Sequence, residues 1–306
     1  MTPFFARYLK CHFNRSAWLL AAFFLPGPGA AWADTATRAR FLMGTVCEIT
    51  AHGPDAGRAI EAAFDEIARL EQTMSLFKED SELSALNRRS AMGPTRCSTD
   101  LFEILHVANE VHRFSQGAFD PTVSAGRPAP GFSKVRLHEN ERSVELAEPR
   151  LRISLDGIGK GYALDAAARV LARKGVRSAI LNFGGQVLAV GTPPGLKAWE
   201  VAVAGTAIVL KVRDRSVSTS SQEEQAGHIL DPRTGKPAAR PGAVTVIASD
   251  GARADAWSTA LFVLGVDRAP AAFTGCAFHF QGGKVLAKTR GCAPYFADQT
   301  TQERKP

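Results

Sequence analysis

Asp156-Gly157-Ile158-Gly159-Lys160-Gly161-Tyr162-Ala163-Leu164-Asp165 lies between a strand-like run, Leu151 to Leu155, and a helix-like run, Ala166 to Lys174. Three glycines at alternate positions allow positive φ and let backbone N–H groups approach a ligand closely. A glycine-rich turn that opens a helix also gathers unpaired N–H groups at the positive end of the helix dipole, where anions bind. Lys160 adds a cation, and Asp156 and Asp165 offer carboxylates for a hydroxyl or a metal. The spacing is neither G-x-G-x-x-G nor G-x-x-x-x-G-K-[ST], so the two common nucleotide fingerprints do not apply. At this level two readings stand, an anion-binding turn and a purely structural strand–helix turn.

Upstream of this stretch, Arg38 to Thr50 reads as one strand with Met43-Gly44-Thr45 at its middle. Asp55 to Phe77 reads as an amphipathic helix, because Ile60, Ala63, Phe64, Ile67, Leu70 and Met74 recur at spacings of three and four. Ser81 is placed to cap a short second helix, and Thr99 to cap a third whose buried face is Leu101, Ile104, Leu105, Ala108 and Val111. His106 and His112 read as ordinary residues of that helix. In Gly117-Ala118-Phe119-Asp120-Pro121-Thr122-Val123 the proline pushes Asp120 out of the α region, so its carboxylate sits on an extended segment or turn.

Downstream, Ala179 to Phe183 and Val187 to Val190 are strands joined by a Gly184-Gly185 turn. Further strands are expected over Trp199 to Val203, Ala207 to Val212, Ser216 to Thr219 and Val244 to Ala248. Ala254 to Leu264 is a helix with Gly265 as its stop, and Ala277–Gln281 with Lys284–Lys288 is a hairpin. No internal repeat is visible. The mixture of strands and helices argues an α+β fold rather than a doubly wound sheet.

Of the 306 residues, the first 33 have the form of a secretion signal. Arg7, Lys10 and Arg15 precede an apolar run, Ala17 to Leu25, which is too short to span a bilayer; Pro/Gly breakers and Ala31-Trp32-Ala33 follow. The expected organisation is a cleaved segment 1–33, a single domain over 34–298 with room for two interlocked subdomains, and a frayed polar tail 299–306. The expected destination is the bacterial periplasm, with no transmembrane helix in the mature chain. The formal net charge of +7 includes the three basic residues of that segment, and the remaining bases are interspersed with acids. That pattern is not a nucleic-acid footprint. Cys47, Cys97, Cys276 and Cys292 have no zinc-like spacing. Cys276 and Cys292 are the pair that could bridge in an oxidising compartment.

One helical pair suggests a metal. Asp255 and Thr259 stand at i and i+4, so both oxygens leave the same face, a hard-oxygen arrangement suited to magnesium or calcium. The plainer reading has Thr259 bonding back to a helix carbonyl and Asp255 capping. His228 reads either as a general base or as a hydrogen-bonded histidine at a strand edge.

Taken together, the motifs resemble one family. Met43-Gly-Thr45, Met74-Ser-x-Phe77 to Asn87, Gly117-x-Phe-Asp-Pro-Thr-Val123, the Asp156–Asp165 stretch, Asn182-x-Gly-Gly185, Thr219-Ser with His228-Ile-x-Asp-Pro-x-Thr-Gly235, and Ala254-Asp-Ala-x-Ser-Thr259 occur in the order of the ApbE family, the FAD:protein FMN transferases. The resemblance implies a T-fold-like α+β scaffold that binds FAD and Mg2+. It implies transfer of FMN to a threonine or serine hydroxyl of an acceptor protein, expected to be a subunit of a membrane-associated redox complex, with release of AMP. It places FAD against Met43, Phe77, Ala118, Phe119, Asp120, Asp156, Lys160, Tyr162, Asp165, Gly184, Gly185, Thr219, His228 and Ile229. It gives the metal to the Gly159 carbonyl, Asp255 and Thr259, with Ser258 beside them, and makes His228 the catalytic base. The chain departs from the family pattern at Phe77, where tyrosine is frequent, at Gln186, where an acid is common, and at Gly159, which replaces alanine. Two other outcomes fit the same residues: hydrolysis of FAD to FMN and AMP, and flavin binding without catalysis.

Overall fold

The computed structural model describes residues 35–123, 128, 131–223 and 227–296. The signal-like segment 1–33 and the tail 299–306 lie outside the described residues. The run read as one strand, Arg38 to Thr50, is instead a hairpin of β1 (Thr35–Leu42) and β2 (Thr45–His52). Met43 and Gly44 both adopt positive φ, 45° and 81°, which is the two-residue turn that matches strand twist. Alternation alone does not reveal such a turn, because Met43 is not a usual turn residue.

The helices α1 (Ala56–Met74), α2 (Glu82–Arg88) and α3 (Thr99–Phe114) follow. Ser81 caps α2 through the Ser84 N–H, as expected. The cap of α3 is Ser98 rather than Thr99, since the Ser98 hydroxyl accepts the Leu101 N–H and Thr99 is already helical. A small antiparallel sheet of β3 (Thr95–Arg96), β4 (Val135–His138) and β5 (Ser143–Leu146) sits beside these helices in sequence.

Two expectations about the glycine-rich stretch are corrected. Leu151 to Leu155 is extended but is not a strand. Its alternate residues Leu151, Ile153 and Leu155 are buried; the Ser154 N–H donates to the Pro121 carbonyl at 2.8 Å, and the Ile153 backbone is paired by a side chain. Asn87 donates Nδ2–H to the Ile153 carbonyl at 2.9 Å and accepts the Ile153 N–H at 2.8 Å. Helix α4 spans Gly159–Arg173, beginning well before Ala166. Gly159 and Gly161 are in its first turn, Gly157 lies just before it, and the reason for Gly161 is a close helix crossing described below.

The chain continues through β6 (Ser178–Phe183), β7 (Gln186–Val190), β8 (Trp199–Ala202), β9 (Val209–Val212), β10 (Arg215–Ser221), β11 (Leu230–Asp231), β12 (Lys236–Pro237) and β13 (Ala243–Ala248). Helix α5 (Gly251–Leu264), β14 (Cys276–Gln281), β15 (Lys284–Lys288) and α6 (Ala293–Phe296) complete it. Eight strands form one antiparallel sheet in the order β1-β2-β6-β7-β10-β13-β14-β15. One face packs on α1, α4 and α5 through Cys47, Ile49, Leu181, Phe183, Leu188 and Val246. The other face carries Val187, Val217, Ile247 and Phe278, which pack with Trp199, Leu210 and Val212 of the β8–β9 hairpin. Cys276 and Cys292 are joined as a disulfide, while Cys47 and Cys97 are free and buried. No helix among the described residues is long and apolar enough to cross a membrane.

Candidate functional site

The site is built where α4 crosses α5. A Cβ on Gly161 would lie 2.0 Å from the Gly251 carbonyl oxygen, and one on Gly251 would lie 2.3 Å from that of Gly161. Only glycine at both positions lets the backbones come this close. The closeness lets each helix cap the other. The Asp255 carboxylate of α5 accepts the Gly161 N–H at 3.1 Å, an otherwise orphan donor in the first turn of α4. In return, the Asp165 carboxylate of α4 accepts the Gly251 and Ala252 N–H groups at 2.6 and 2.9 Å. Gln186 completes the clamp, its Nε2 donating to the Gly251 carbonyl at 2.8 Å.

Asp255 is only 6 % exposed. Burial pushes its carboxyl above the usual range, with Lys160 and the Gly161 amide pulling the other way and Asp156 adding to the rise. Thr259 lies one turn further along α5. A Cβ on Gly157 would sit 3.3 Å from the Thr259 Oγ1 and 3.2 Å from the Phe119 ring, so the missing side chain keeps the approach to that hydroxyl open. Ser258 is fully buried and donates to the Asp255 carbonyl at 2.8 Å. Its Oγ also meets Ser220 Oγ at 2.8 Å and Ser218 Oγ at 3.3 Å, so this hydroxyl is turned into the helix–sheet seam. Gln186 was noted in sequence only as a departure from the family pattern, and Ser218 and Ser220 were not singled out. The signal was available in Ser216, Ser218 and Ser220, whose period of two puts three hydroxyls on the strand face that meets α5.

The rim draws in other expected residues. The Met43 side chain comes within 3.6 Å of the position a Gly159 Cβ would take. The Met43 N–H is accepted by Glu71 at 3.2 Å, and Lys78 reaches the same carboxylate at 3.4 Å, which ties the Phe77–Lys78 loop to the hairpin tip. Phe77 is 94 % exposed there. The Gly184-Gly185 turn abuts Thr45: the Gly184 N–H donates to the Val46 carbonyl at 3.1 Å, and a Cβ on Gly184 would meet Thr45 Cγ2 at 2.8 Å. Ala118, Phe119 and Asp120 are buried. The Asp120 carboxylate accepts the Thr122 N–H at 2.8 Å and the Phe132 N–H at 3.2 Å, so it shapes its own loop. His112 is not an ordinary helix residue: its Nδ1 is 2.9 Å from the Phe119 carbonyl and 3.5 Å from Asp120. Asp156 is exposed at the entrance to the turn and Lys160 is half-buried.

Other expected residues lie elsewhere. The Tyr162 hydroxyl meets Asp100 at 3.1 Å and Glu103 at 3.0 Å, and burial with these two carboxylates pushes its pKa far up. Tyr162 and Asp165 line a cavity of about 710 Å³ with Arg169, Asp250 and Arg253, and neither Gly157, Asp255 nor Thr259 borders it. Burial raises the Asp165 carboxyl to about 6, against the pull of the two N–H groups it accepts. Thr219 points to the opposite side of β10 from Ser218 and Ser220 and meets Thr245 at 2.8 Å. His228 is exposed and Ile229 buried. Gln222 holds their loop, donating to the Ile229 carbonyl at 2.7 Å and accepting the Gly227 N–H at 2.9 Å.

The donors present fit a magnesium ion. A buried carboxylate with a hydroxyl one turn away and an open glycine side is hard-oxygen chemistry. Among the described residues no group of three or more His, Cys, Asp or Glu can hold a metal. Such a site therefore relies on hydroxyl, carbonyl, water and substrate phosphate, as magnesium sites commonly do.

Known proteins resemble this chain in sequence and in fold. The ApbE family profile matches residues 43–277. The FAD:protein FMN transferase of Treponema pallidum (strain Nichols) is 28% identical over 287 residues, covering 76% of this chain and 79% of its own. That of Chlamydia trachomatis serovar D is 28% identical over 297 residues, covering 85% of this chain and 91% of its own. The flavin transferase ApbE of Vibrio cholerae superposes with a TM-score of 0.77 at 22% identity, covering 86% of this chain and 99% of that one. The corresponding protein of Thermotoga maritima gives 0.76 at 23%, covering 86% and 99%. These structures share the α+β fold of mixed helices and antiparallel sheets. With a profile match across most of its length, the chain belongs to the ApbE family.

Proposed function

We propose that this protein transfers the FMN moiety of FAD to a threonine or serine hydroxyl of an acceptor protein, releasing AMP, and that it does so with Mg2+. Family membership and the curated relatives make the chain an FAD:protein FMN transferase. The observation that carries the finer reading is the Asp255–Thr259 pair at the open side of Gly157, beside the first turn of α4.

Asp255, Thr259 and the Gly159 carbonyl would hold the ion, which supplies charge neutralisation at the phosphoryl oxygens when bound. Lys160 adds a cation near the same phosphates. The absence of a side chain at Gly157 lets the pyrophosphate reach Thr259, while Met43 and Phe77 offer apolar surface for the flavin. His228 takes the proton of the acceptor hydroxyl as its oxygen bonds to the FMN phosphorus. The bond from that phosphorus to the oxygen bridging to AMP breaks, and AMP leaves with the electron pair. With water in place of the acceptor the same site would give FMN and AMP, and AMP formed equally without an acceptor would identify that reaction. The metal requirement is tested by chelation: AMP release should stop with EDTA and return with Mg2+. AMP release that survives chelation would remove the ion from the scheme.

The acceptor belongs to the compartment to which the chain is sent. The basic, apolar and Ala-x-Ala pattern of residues 1–33 supports export to the periplasm, where a membrane-associated redox subunit would be the partner. The N-terminus of protein recovered from cell fractions tests this, with Asp34 expected as the first residue in the periplasmic fraction.

A further inference from the structure

We propose that Ser220 is a positioning residue for the metal site, fixing which way the Thr259 hydroxyl points through a directed chain of hydrogen bonds. This rests on the reading of Asp255 and Thr259 as metal ligands. The direction follows from proton counting. The Asp255 carbonyl has no proton, so Ser258, 2.8 Å away, must donate to it. Ser258 has only that one hydroxyl proton. In the 2.8 Å contact between Ser220 and Ser258, Ser220 is therefore the donor. The Ser218 hydroxyl at 3.3 Å can add only a second donor to Ser258, so it does not compete for the Ser258 proton.

Ser220 has then used its own proton, and towards Thr259 Oγ1, 3.4 Å away, it can only accept. The Thr259 O–H points at Ser220, and the Thr259 lone pairs are turned away from the strand. This is the polarity a metal-ligating hydroxyl requires, because a proton aimed at the cation would repel it. The chain Thr259 → Ser220 → Ser258 → Asp255 carbonyl thus ties the hydroxyl ligand to the main chain of the carboxylate ligand. At 3.4 Å the first link is looser than the roughly 2.5–3.0 Å of a settled hydroxyl pair, but its direction does not depend on its length. All of these hydroxyls are on rigid elements: Ser220 is 9 % exposed on β10, and Ser258 is fully buried on α5. Partners that orient a ligand in this way typically change metal affinity about 10- to 100-fold when removed.

The test titrates Mn2+ into the FAD-loaded protein without acceptor, counting free Mn2+ by electron paramagnetic resonance. Ser220→Ala should weaken Mn2+ binding about tenfold or more, by analogy with other orienting partners. The Ser220→Ala/Thr259→Ala double variant should bind no more weakly than Thr259→Ala alone, because Ser220 acts through Thr259. A structural role for Ser220 would make the two losses add. Ser258→Ala reads the same chain one link on and should also weaken binding, which keeps the test open if Ser220→Ala does not fold. Wild-type affinity in Ser220→Ala, or additive losses, would overturn the assignment while leaving the metal site standing. If the wild type binds no Mn2+ and Asp255→Ala is indistinguishable from it, the metal reading itself falls.

Discussion

Asp165 and Asp255 cap each other's helices: the α4 carboxylate accepts two N–H groups at the start of α5, and the α5 carboxylate accepts one at the start of α4. The exchange is possible because Gly161 and Gly251 bring the two backbones together. It fixes the angle at which α5 presents Asp255 and Thr259 to the open side of Gly157. The geometry of the candidate site is thus set by glycines and caps rather than by the residues that would touch substrate.

The three glycines of the turn should respond differently to alanine. Gly161→Ala drives a Cβ into backbone, a contact of 2.0 Å, so about 3 kcal/mol or more should be lost. For a chain of this size that lowers Tm by roughly 5–10 °C. Gly159→Ala meets only a flexible Met43 terminus at 3.6 Å and should leave Tm within about 2 °C. Gly157→Ala should fold normally but slow transfer, since its Cβ would crowd Thr259 Oγ1. Thermal denaturation and rate measurements on the three variants check the order.

Asp165 should make stability depend on pH. Its folded pKa, about 6, is above the ordinary 3.8, so the folded state holds the proton more tightly. Its contribution is complete below about pH 4 and is lost as pH rises through 6, with a full extent of about 3 kcal/mol. The Tm advantage of wild type over Asp165→Asn should therefore shrink between pH 4.5 and 7.5. A pH-independent difference would contradict the burial argument.

Thiol reactivity tests the core. Burial pushes Cys47 and Cys97 up to about 12, so neither is a thiolate at neutral pH, and Cys276 and Cys292 are bridged. Protein beginning at residue 34 should show no reactive thiol when native, and two after unfolding without reductant. A reactive thiol in the native protein would contradict the packing around β2 or β3.

His228→Ala should slow transfer by about a hundredfold or more, the usual contribution of a general base, while FAD affinity changes far less. Rate against pH and FAD titration separate the two effects. An unchanged rate across neutral pH would remove His228 as the base.

Much of the fold was legible because most buried faces repeat at their own period. The stripe from Ile60 to Met74 and the alternation in β6 each have one reading, while β7 and β13, buried on both faces, read as short apolar runs bounded by turns. The misreadings occurred where the backbone is governed by distant atoms. Leu151–Leu155 alternates like a strand, but its Ile153 is paired by the Asn87 side chain rather than by a ladder of a neighbouring strand. The start of α4 was placed too late because glycine is a poor helix former, and only the crossing with α5 explains why glycine is there. The i, i+4 spacing brought Asp255 and Thr259 to notice, but it left a metal pair and a plain cap both open, and only the family resemblance favoured the metal. Their link to Ser220 was not visible, because it joins residues 39 apart. Tyr162 and Asp165 belong to the same short motif as Gly157, yet at i and i+3 on α4 they both line the cavity with Arg169, which Gly157, Asp255 and Thr259 do not border.

The central claim is tested by incubating protein beginning at residue 34 with FAD and Mg2+, with and without a threonine-bearing acceptor domain. AMP and the intact mass of the acceptor are measured together, with Asp255→Ala as the control. The expected result is AMP that depends on the acceptor, a gain of one FMN in acceptor mass, and neither from Asp255→Ala. AMP formed equally without acceptor and with no mass gain, or a mass gain that persists in Asp255→Ala, would contradict the account.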